Sequence, residues 1–107
     1  MVERGEIALL EPWRALSTER RAQVEAEVAR EVPQGHVLSG RAVVAVAARS
    51  DQDDVLFDVK ALGYAVVHLS WSGRREESSD RPRTALFVSL DDWRERGMRA
   101  DHEEYSA

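Results

Sequence analysis

The clearest alternation of apolar and polar positions lies in residues 53–71, DDVLFDVKALGYAVVHLSW. Two alternating runs, Val55–Val59 and Ala65–Leu69, flank the turn Ala61-Leu62-Gly63, so the segment predicts a β-hairpin. Side chains alternate across a strand, and a slip of one residue would reverse the two faces, so the pattern fixes which face is buried. The apolar face comprises Val55, Phe57, Val59, Ala65, Val67, Leu69 and Trp71. The mixed face comprises Leu56, Asp58, Lys60, Tyr64, Val66, His68 and Ser70.

The residues before the hairpin predict one long helix. Pro12 suits the first position of a short helical entry segment over residues 7–16. Ser17 or Thr18 then suits the N-cap of a second helix that extends to about Glu31. Small apolar residues form a thin stripe along this helix, and the remaining positions are mainly Arg and Glu. The helix therefore has one side suited to packing on a sheet.

Arg41–Arg49, RAVVAVAAR, fits either a strand or a helix, because alanine is a poor strand former. The Gly40 before it and the polar turn after it favour a strand. Continuing the hairpin pattern puts one set of alternate residues on the apolar face and the other on the mixed face. The first set is Val44, Val46 and Ala48, and the second is Val43, Ala45 and Ala47.

The rest of the chain predicts a loop, a strand and a short helix. Residues 72–83 are rich in Ser, Arg and Glu, which predicts a mobile loop. Thr84–Val88 predicts a strand, and Ser89 with Asp92 predicts the capped start of a helix that Gly97 stops. We expect residues 1–107 to form a single α+β domain, with residues 1–10 and 103–107 frayed. Its fold would be an antiparallel three- to four-stranded β-meander packed by an N-terminal helix, with a short C-terminal helix.

Composition excludes several classes of function. The chain contains no cysteine, which removes disulfides and thiolate sites and fits a cytoplasmic location. Its formal net charge is −5, whereas a nucleic-acid binder usually carries a basic excess, so no nucleic-acid partner is expected. No apolar run approaches the ~20 residues that span a bilayer, so no membrane association is expected. No cofactor is expected either.

The candidate metal ligands are scattered. They are His36, His68, His102, Asp51, Asp53 and Asp54. Turn formation explains the aspartates, because Asp favours turns through its backbone hydrogen bonding. The hairpin places His68 opposite Leu56 and diagonal to Asp58, and a His–carboxylate pair suits either a general base or a structural hydrogen bond. A small metal-binding or hydrolytic domain using His68 with Asp58 is therefore the alternative hypothesis.

The favoured hypothesis is a small protein-interaction module, comparable to inhibitors and immunity proteins. A helix on one side of the sheet would expose the mixed face, and exposed apolar patches often mark interfaces. The partner would be another protein or a second copy of the chain. Alternatively, the N-terminal apolar residues fold over this face. The candidate binding residues are Leu56, Asp58, Tyr64, Val66, His68, Trp71, Arg74 and Arg75.

Three short motifs resemble a family of small, uncharacterised bacterial proteins: DDVLF at residues 53–57, AVVHLSWSGR at 65–74 and MRADHE at 98–103. The resemblance extends over roughly residues 35–105, and Ser70 stands where the family pattern has threonine. This family has no established activity, so the resemblance implies no catalytic residue. It implies that His68, Trp71 and Asp101-His102 belong to one surface.

Overall fold

A computed structural model describes residues 8–107 and has an α+β architecture. Five antiparallel strands form one sheet in sequence order: β1 (Trp13–Ala15), β2 (Val43–Arg49), β3 (Asp54–Val59), β4 (Gly63–His68) and β5 (Thr84–Phe87). Helix α1 (Thr18–Glu31) connects β1 to β2. After β5 come α2 (Leu90–Trp93), a π-helical turn (Arg94–Met98) and α3 (Arg99–Ser106). These last three segments are continuous, and we call them together the C-terminal helix.

The predicted fold class is confirmed, with five strands instead of three to four. The additional strand is β1, where Trp13 lies opposite Arg49. A helical entry segment was expected at Pro12, and this prediction is wrong, because pairing with β2 overrides the helical preference of so short a segment. Part of the segment expected to fray, residues 1–7, lies outside the described residues. No helix within residues 8–107 combines the length and apolarity needed to cross a bilayer.

Helix α1 covers one face of the sheet. The Ser17 hydroxyl accepts a hydrogen bond from the Arg20 amide, so the predicted N-cap is confirmed. The apolar face of the hairpin packs under this helix, as its alternation predicts. This first core consists of Val24, Val28, Leu38, Ala45, Val55, Phe57, Val59, Ala65, Val67 and Leu69.

The C-terminal helix covers the other face, so this face is not open as expected. The second core consists of Trp13, Ala47, Leu56, Phe87, Trp93 and Met98. The indole rings of Trp13 and Trp93 meet edge to face, with ring centroids 5.1 Å apart. Gly97 does not stop the helix, because the π-helical turn carries the chain past it. A Cβ at Gly97 would lie 2.7 Å from Cδ1 of Trp93, so glycine permits this close packing.

The strand register differs from the expected one at two places. In the hairpin, Asp54 lies opposite His68 and Leu56 opposite Val66, which is two residues from the predicted pairing and preserves the faces. Strand β2 is confirmed and contains a β-bulge between Ala45 and Ala47. Ala48 pairs with Val55 on the predicted face, but the bulge exchanges the two faces of β2 on its N-terminal side. Ala45 consequently packs under α1 and not on the mixed face.

Candidate functional site

A left-handed backbone conformation at a bulky residue follows β4, in Ser70-Trp71-Ser72-Gly73, which we call the Trp71 loop. Trp71 has φ = 58°, in the left-handed region. A bulky residue rarely adopts this conformation, which costs roughly 1–2 kcal/mol in a residue other than glycine. The surrounding structure must therefore hold the loop in place.

Two buried glutamates of α1 hold the Trp71 loop. The Glu31 carboxyl accepts hydrogen bonds from the amides of Ser70 at 3.0 Å and Trp71 at 2.8 Å. The Glu27 carboxyl accepts one from the amide of Gly73 at 3.0 Å. Both glutamates are almost fully buried, with relative exposures of 1% for Glu27 and 0% for Glu31. They are four residues apart on one helix, so their carboxyl groups lie on the same side of α1 and both reach the loop.

The pKa values of the two carboxyl groups are shifted in opposite directions by their surroundings. Burial raises the pKa of Glu31 above its ordinary value of 4.5, and a hydrogen bond with Glu27 raises it further. That same hydrogen bond is the main cause that lowers the pKa of Glu27, and Gly73 and Arg30 also lower it. The Arg30 guanidinium lies 2.8 Å from the Glu27 carboxyl. The pKa values of the pair therefore shift in opposite directions, upward for Glu31 and downward for Glu27.

The Trp71 side chain is half-buried between α1 and solvent. It packs against the core under α1, and the Arg20 guanidinium lies 4.7 Å from the centroid of its ring. Beyond it the chain continues to Arg74 and Arg75, and the Glu76 amide then donates to the Glu31 carbonyl oxygen at 3.0 Å. A polar cleft of about 470 Å³ lies along this segment. Its lining residues are Ser70, Ser72, Arg74, Arg75, Glu76 and Glu77.

A second cleft, of about 430 Å³, adjoins the first through Arg75, which lines both. Its floor is apolar and consists of residues from α1, from the loop after it and from β2: Val28, Ala29, Val32, Leu38 and Val43. Gln34, Arg41 and Arg75 are among the polar residues of its wall. An apolar floor beside guanidinium groups suits a ligand that combines an aliphatic group with a carboxylate.

His68 pairs with Asp54 and not with Asp58. Its Nδ1 atom lies 2.6 Å from Oδ1 of Asp54, and 42% of the His68 side chain is exposed. The partner of His68 differs from the predicted one because the hairpin register sets Asp58 opposite Tyr64. The expected pairing with Asp58 is therefore wrong, although a His–carboxylate pair is present.

The other two histidines bond to backbone atoms. His36 is buried, and its Nε2 lies 2.9 Å from the Pro82 carbonyl oxygen while its Nδ1 accepts from the Leu38 amide at 3.0 Å. His102 Nδ1 lies 2.6 Å from the Glu11 carbonyl oxygen. Within residues 8–107, no three side chains of His, Asp or Glu are grouped as a metal site requires. The three histidines thus do not converge.

Asp51, at the β2–β3 turn, belongs to a charged cluster around Arg49. Arg49 is buried, and its guanidinium contacts Asp51 at 2.9 Å and Asp101 at 3.2 Å. Burial raises the pKa of Asp101, and the nearby Asp54 carboxylate raises it further. The Asp54 carboxylate thus contacts His68 and influences the pKa of Asp101, whereas Trp71 packs against α1, so the single surface of His68, Trp71 and Asp101-His102 that the resemblance implies is not found.

The predicted binding residues separate into two groups. Leu56 is fully buried beneath the C-terminal helix, and Tyr64 and Val66 are half-buried against the same core. Asp58 is exposed, and His68 lies at the other end of its strand pair. Trp71, Arg74 and Arg75 instead follow one another beside α1. This second group forms the candidate site.

Sequence reasoning missed Glu27 and Glu31, which it placed among the solvated charges of α1. Their spacing indicates that they are buried, because positions 24, 27, 28 and 31 lie on one side of a helix. Both glutamates therefore lie on the stripe defined by Val24 and Val28. A charged residue within an apolar stripe indicates a buried polar partner.

The chain matches no family model, and no curated protein and no solved structure matches it significantly. The resemblance described above therefore depends on short motifs, and the function is argued from the site.

Proposed function

We propose that this protein is a small cytoplasmic interaction module that binds an exposed segment of another protein. The proposed binding surface consists of the Trp71 loop, Arg74, Arg75 and the apolar cleft beside Arg75. One observation carries the proposal: a tryptophan is held in a left-handed backbone conformation by two buried glutamates. The outer sheet face is not used, because the C-terminal helix covers its centre.

The Trp71 loop supports the proposal through its energetics. Backbone strain persists where the surrounding structure over-determines it, and it is concentrated at functional sites. Here the strained conformation fixes the position of a half-exposed indole. Tryptophan and arginine are the residues most often found at the hot spots of protein interfaces. Because the loop is already held by three amide hydrogen bonds to α1 from Ser70, Trp71 and Gly73, binding would order few additional groups.

The chemistry of the clefts indicates the kind of segment that would bind. Arg41 and Arg75 border an apolar floor, and Arg74 adjoins the polar cleft. Guanidinium groups pair well with carboxylates, and the floor accepts an aliphatic side chain. The partner segment would thus present one aliphatic side chain between acidic residues. Like an inhibitor or an immunity protein, the module would act by occupying its partner's surface.

A peptide array tests the proposal. It would contain twelve-residue peptides with a central leucine or isoleucine flanked by acidic, basic or uncharged residues. We expect the acidic set to be retained preferentially, and retention to fall at least tenfold with Trp71→Ala and with Arg75→Glu. Arg99→Glu is the matched control, because Arg99 is exposed on the C-terminal helix and the charge change is the same. Equal retention of all three peptide sets, or equal binding by all variants, would contradict the proposal.

The alternative hypothesis, a metal-binding or hydrolytic domain, now centres on His68 with Asp54. Their 2.6 Å contact has the geometry of a general base and its orienting carboxylate. His68→Ala belongs in the same peptide array. Unchanged peptide retention with this variant separates the binding surface from the His68–Asp54 pair, whereas loss of retention would favour a role for the pair.

A further inference from the structure

The apolar cleft beside Arg75 carries an unbalanced positive charge. Of the residues in the described part of the chain that line it, Arg41 and Arg75 are charged and none is acidic. In the polar cleft, by contrast, Glu76 and Glu77 offset Arg74 and Arg75. The whole chain has a formal net charge of −5, so this local excess of guanidinium groups is not a general property of the surface. It favours an anionic group on the ligand.

Neither guanidinium group has a carboxylate partner within residues 8–107. Arg30 of the same region differs, because it pairs with Glu27 at 2.8 Å. The Nε atom of Arg41 donates to the Val37 carbonyl oxygen at 3.0 Å, which orients the side chain. Its two terminal nitrogens, like those of Arg75, are therefore available to a carboxylate of the ligand.

The wall that carries Arg41 is held in place by its own hydrogen bonds. The Arg41 amide donates to the Leu38 carbonyl oxygen at 3.1 Å, and the Leu38 amide donates to Nδ1 of His36 at 3.0 Å. His36 is buried, and its Nε2 lies 2.9 Å from the Pro82 carbonyl oxygen. Since the wall is fixed before a ligand arrives, binding would order few additional groups.

The size of the apolar cleft limits what enters it. Its volume of about 430 Å³ is near the lower end of the range for ligand pockets, roughly 300–1,000 Å³. In an extended peptide neighbouring side chains point to opposite sides, so an acidic side chain next to the aliphatic one points away from the cleft. At the end of a chain, the carboxylate and the side chain are attached to the same Cα atom. A C-terminal residue therefore brings both groups into one small cleft.

The polar cleft provides a place for the residues that precede this end. It shares Arg75 with the apolar cleft, and Ser70 and Ser72 of the Trp71 loop line it. A free carboxylic acid would occupy the apolar cleft and leave the polar cleft and the Trp71 loop unused. The two adjoining clefts therefore favour the end of a polypeptide as the ligand.

We propose that the apolar cleft binds the C-terminal residue of a partner polypeptide. Its aliphatic side chain lies on the floor formed by Val28, Val32 and Leu38, and its carboxylate pairs with the guanidinium groups of Arg41 and Arg75. The inference rests on the proposed function, because it names which segment of the partner is bound. The terminal carboxylate then supplies one of the acidic groups expected beside the aliphatic side chain.

Fluorescence anisotropy with two forms of one peptide tests the inference. The probe is an N-terminally labelled hexapeptide that ends in leucine, prepared as the free acid and as the C-terminal amide. We expect the free acid to bind about tenfold more tightly, because hydrogen bonds to a charged group are the stronger ones. A second amide peptide, with one glutamate added at its N-terminal end, restores the net charge and should bind as weakly as the first amide.

Variants of the cleft show where the carboxylate binds. Arg41→Gln and Arg75→Gln should each weaken binding of the free acid about tenfold and leave binding of the amide nearly unchanged. Arg21→Gln is the matched control, because Arg21 is exposed on α1 and lines neither cleft. Ala29→Phe should fill the apolar cleft and weaken binding of both peptides, whereas Ala22→Phe, at an exposed position of α1 outside the clefts, should not.

Three results would overturn the inference. Equal affinity for the acid and the amide would do so and leave the proposed function standing, because an internal segment would then be enough. Displacement of the peptide by isocaproate at the peptide's own affinity would show that a free carboxylic acid is the ligand. Binding of neither peptide would also overturn it, and the peptide array, with its internal leucine or isoleucine, would then show whether the proposed function fails as well.

Discussion

At the scale of single residues, Glu27 and Glu31 hold the Trp71 loop in its conformation. A buried carboxylate without hydrogen bonds would cost several kcal/mol, and these two carboxyl groups receive the amides of the Trp71 loop. The same hydrogen bonds hold Trp71 in its left-handed conformation. The glutamates and the loop thus stabilise each other, and a substitution in either should destabilise both.

Glu31→Gln should change how stability depends on pH. The pKa of Glu31 is raised in the folded state, so its contribution is fully present below about pH 4.5 and is lost as the pH rises through the folded-state pKa. Glutamine keeps an acceptor for the loop amides and does not ionise. The free energy of unfolding of the wild type should therefore fall relative to that of the variant as the pH rises above about 4.5.

Urea unfolding at several pH values measures this difference. Glu103→Gln, at an exposed position of α3, is the matched control for the loss of one carboxylate. A wild type that gains stability relative to Glu31→Gln as the pH rises would show that Glu31 is ionised in the fold. The lowered pKa of Glu27 depends mainly on its hydrogen bond with Glu31, and a glutamine amide at position 31 can still donate to the Glu27 carboxylate, so this shift is largely kept in the variant.

At the scale of elements, the alternation along a segment predicts its faces but not its register. The hairpin faces are as predicted, because moving the pairing by two residues keeps every side chain on its side. The turn can comprise residues 60–62 or 61–63, and local sequence does not separate them. In the structure Gly63 lies opposite Val59 and passes close to Phe87 of β5. This contact is with a strand distant in sequence, so the local sequence of the hairpin does not reveal it.

Other elements were missed for related reasons. The three residues of β1 are too few to show a period, and a β-bulge leaves no mark in the alternation of an Ala/Val strand. The candidate site was predicted in part, since Trp71, Arg74 and Arg75 stand out by residue type. Glu27 and Glu31 could not be assigned to it, because the loop that they bind lies about forty residues away.

Gly63→Ala should destabilise the sheet strongly. A Cβ at this position would lie 2.5 Å from the carbonyl oxygen of Phe87, so β4 and β5 would have to separate. Gly73→Ala is the matched control, because Gly73 also has a positive φ but its Cβ would meet no atom within 4 Å. We expect a loss of about 3 kcal/mol or more at Gly63 and about 1 kcal/mol at Gly73. Equal losses in thermal or urea unfolding would contradict the steric explanation.

At the scale of the whole molecule, the N-terminal and C-terminal segments close the fold together. The Trp13 indole packs against Trp93, and its Nε1 donates to the Asp101 carboxylate at 2.9 Å. Asp101 also balances the buried Arg49 guanidinium, and His102 contacts the Glu11 carbonyl oxygen. The C-terminal helix is therefore joined to β1 and β2 through polar contacts as well as through its apolar side.

A double-mutant cycle measures how strongly these two ends of the chain are coupled. Trp13→Phe removes the indole donor and keeps an aromatic ring in the second core, and Asp101→Ala removes the acceptor. We expect each change to destabilise the protein and the pair to show a coupling free energy of about 1 kcal/mol, because the hydrogen bond is lost only once. Trp13→Phe with Asp92→Ala is the matched cycle and should be additive, because Asp92 pairs with Arg96 and not with Trp13. Additivity in both cycles would mean that the Trp13–Asp101 hydrogen bond adds nothing to stability, and that apolar packing alone joins the C-terminal helix to the sheet.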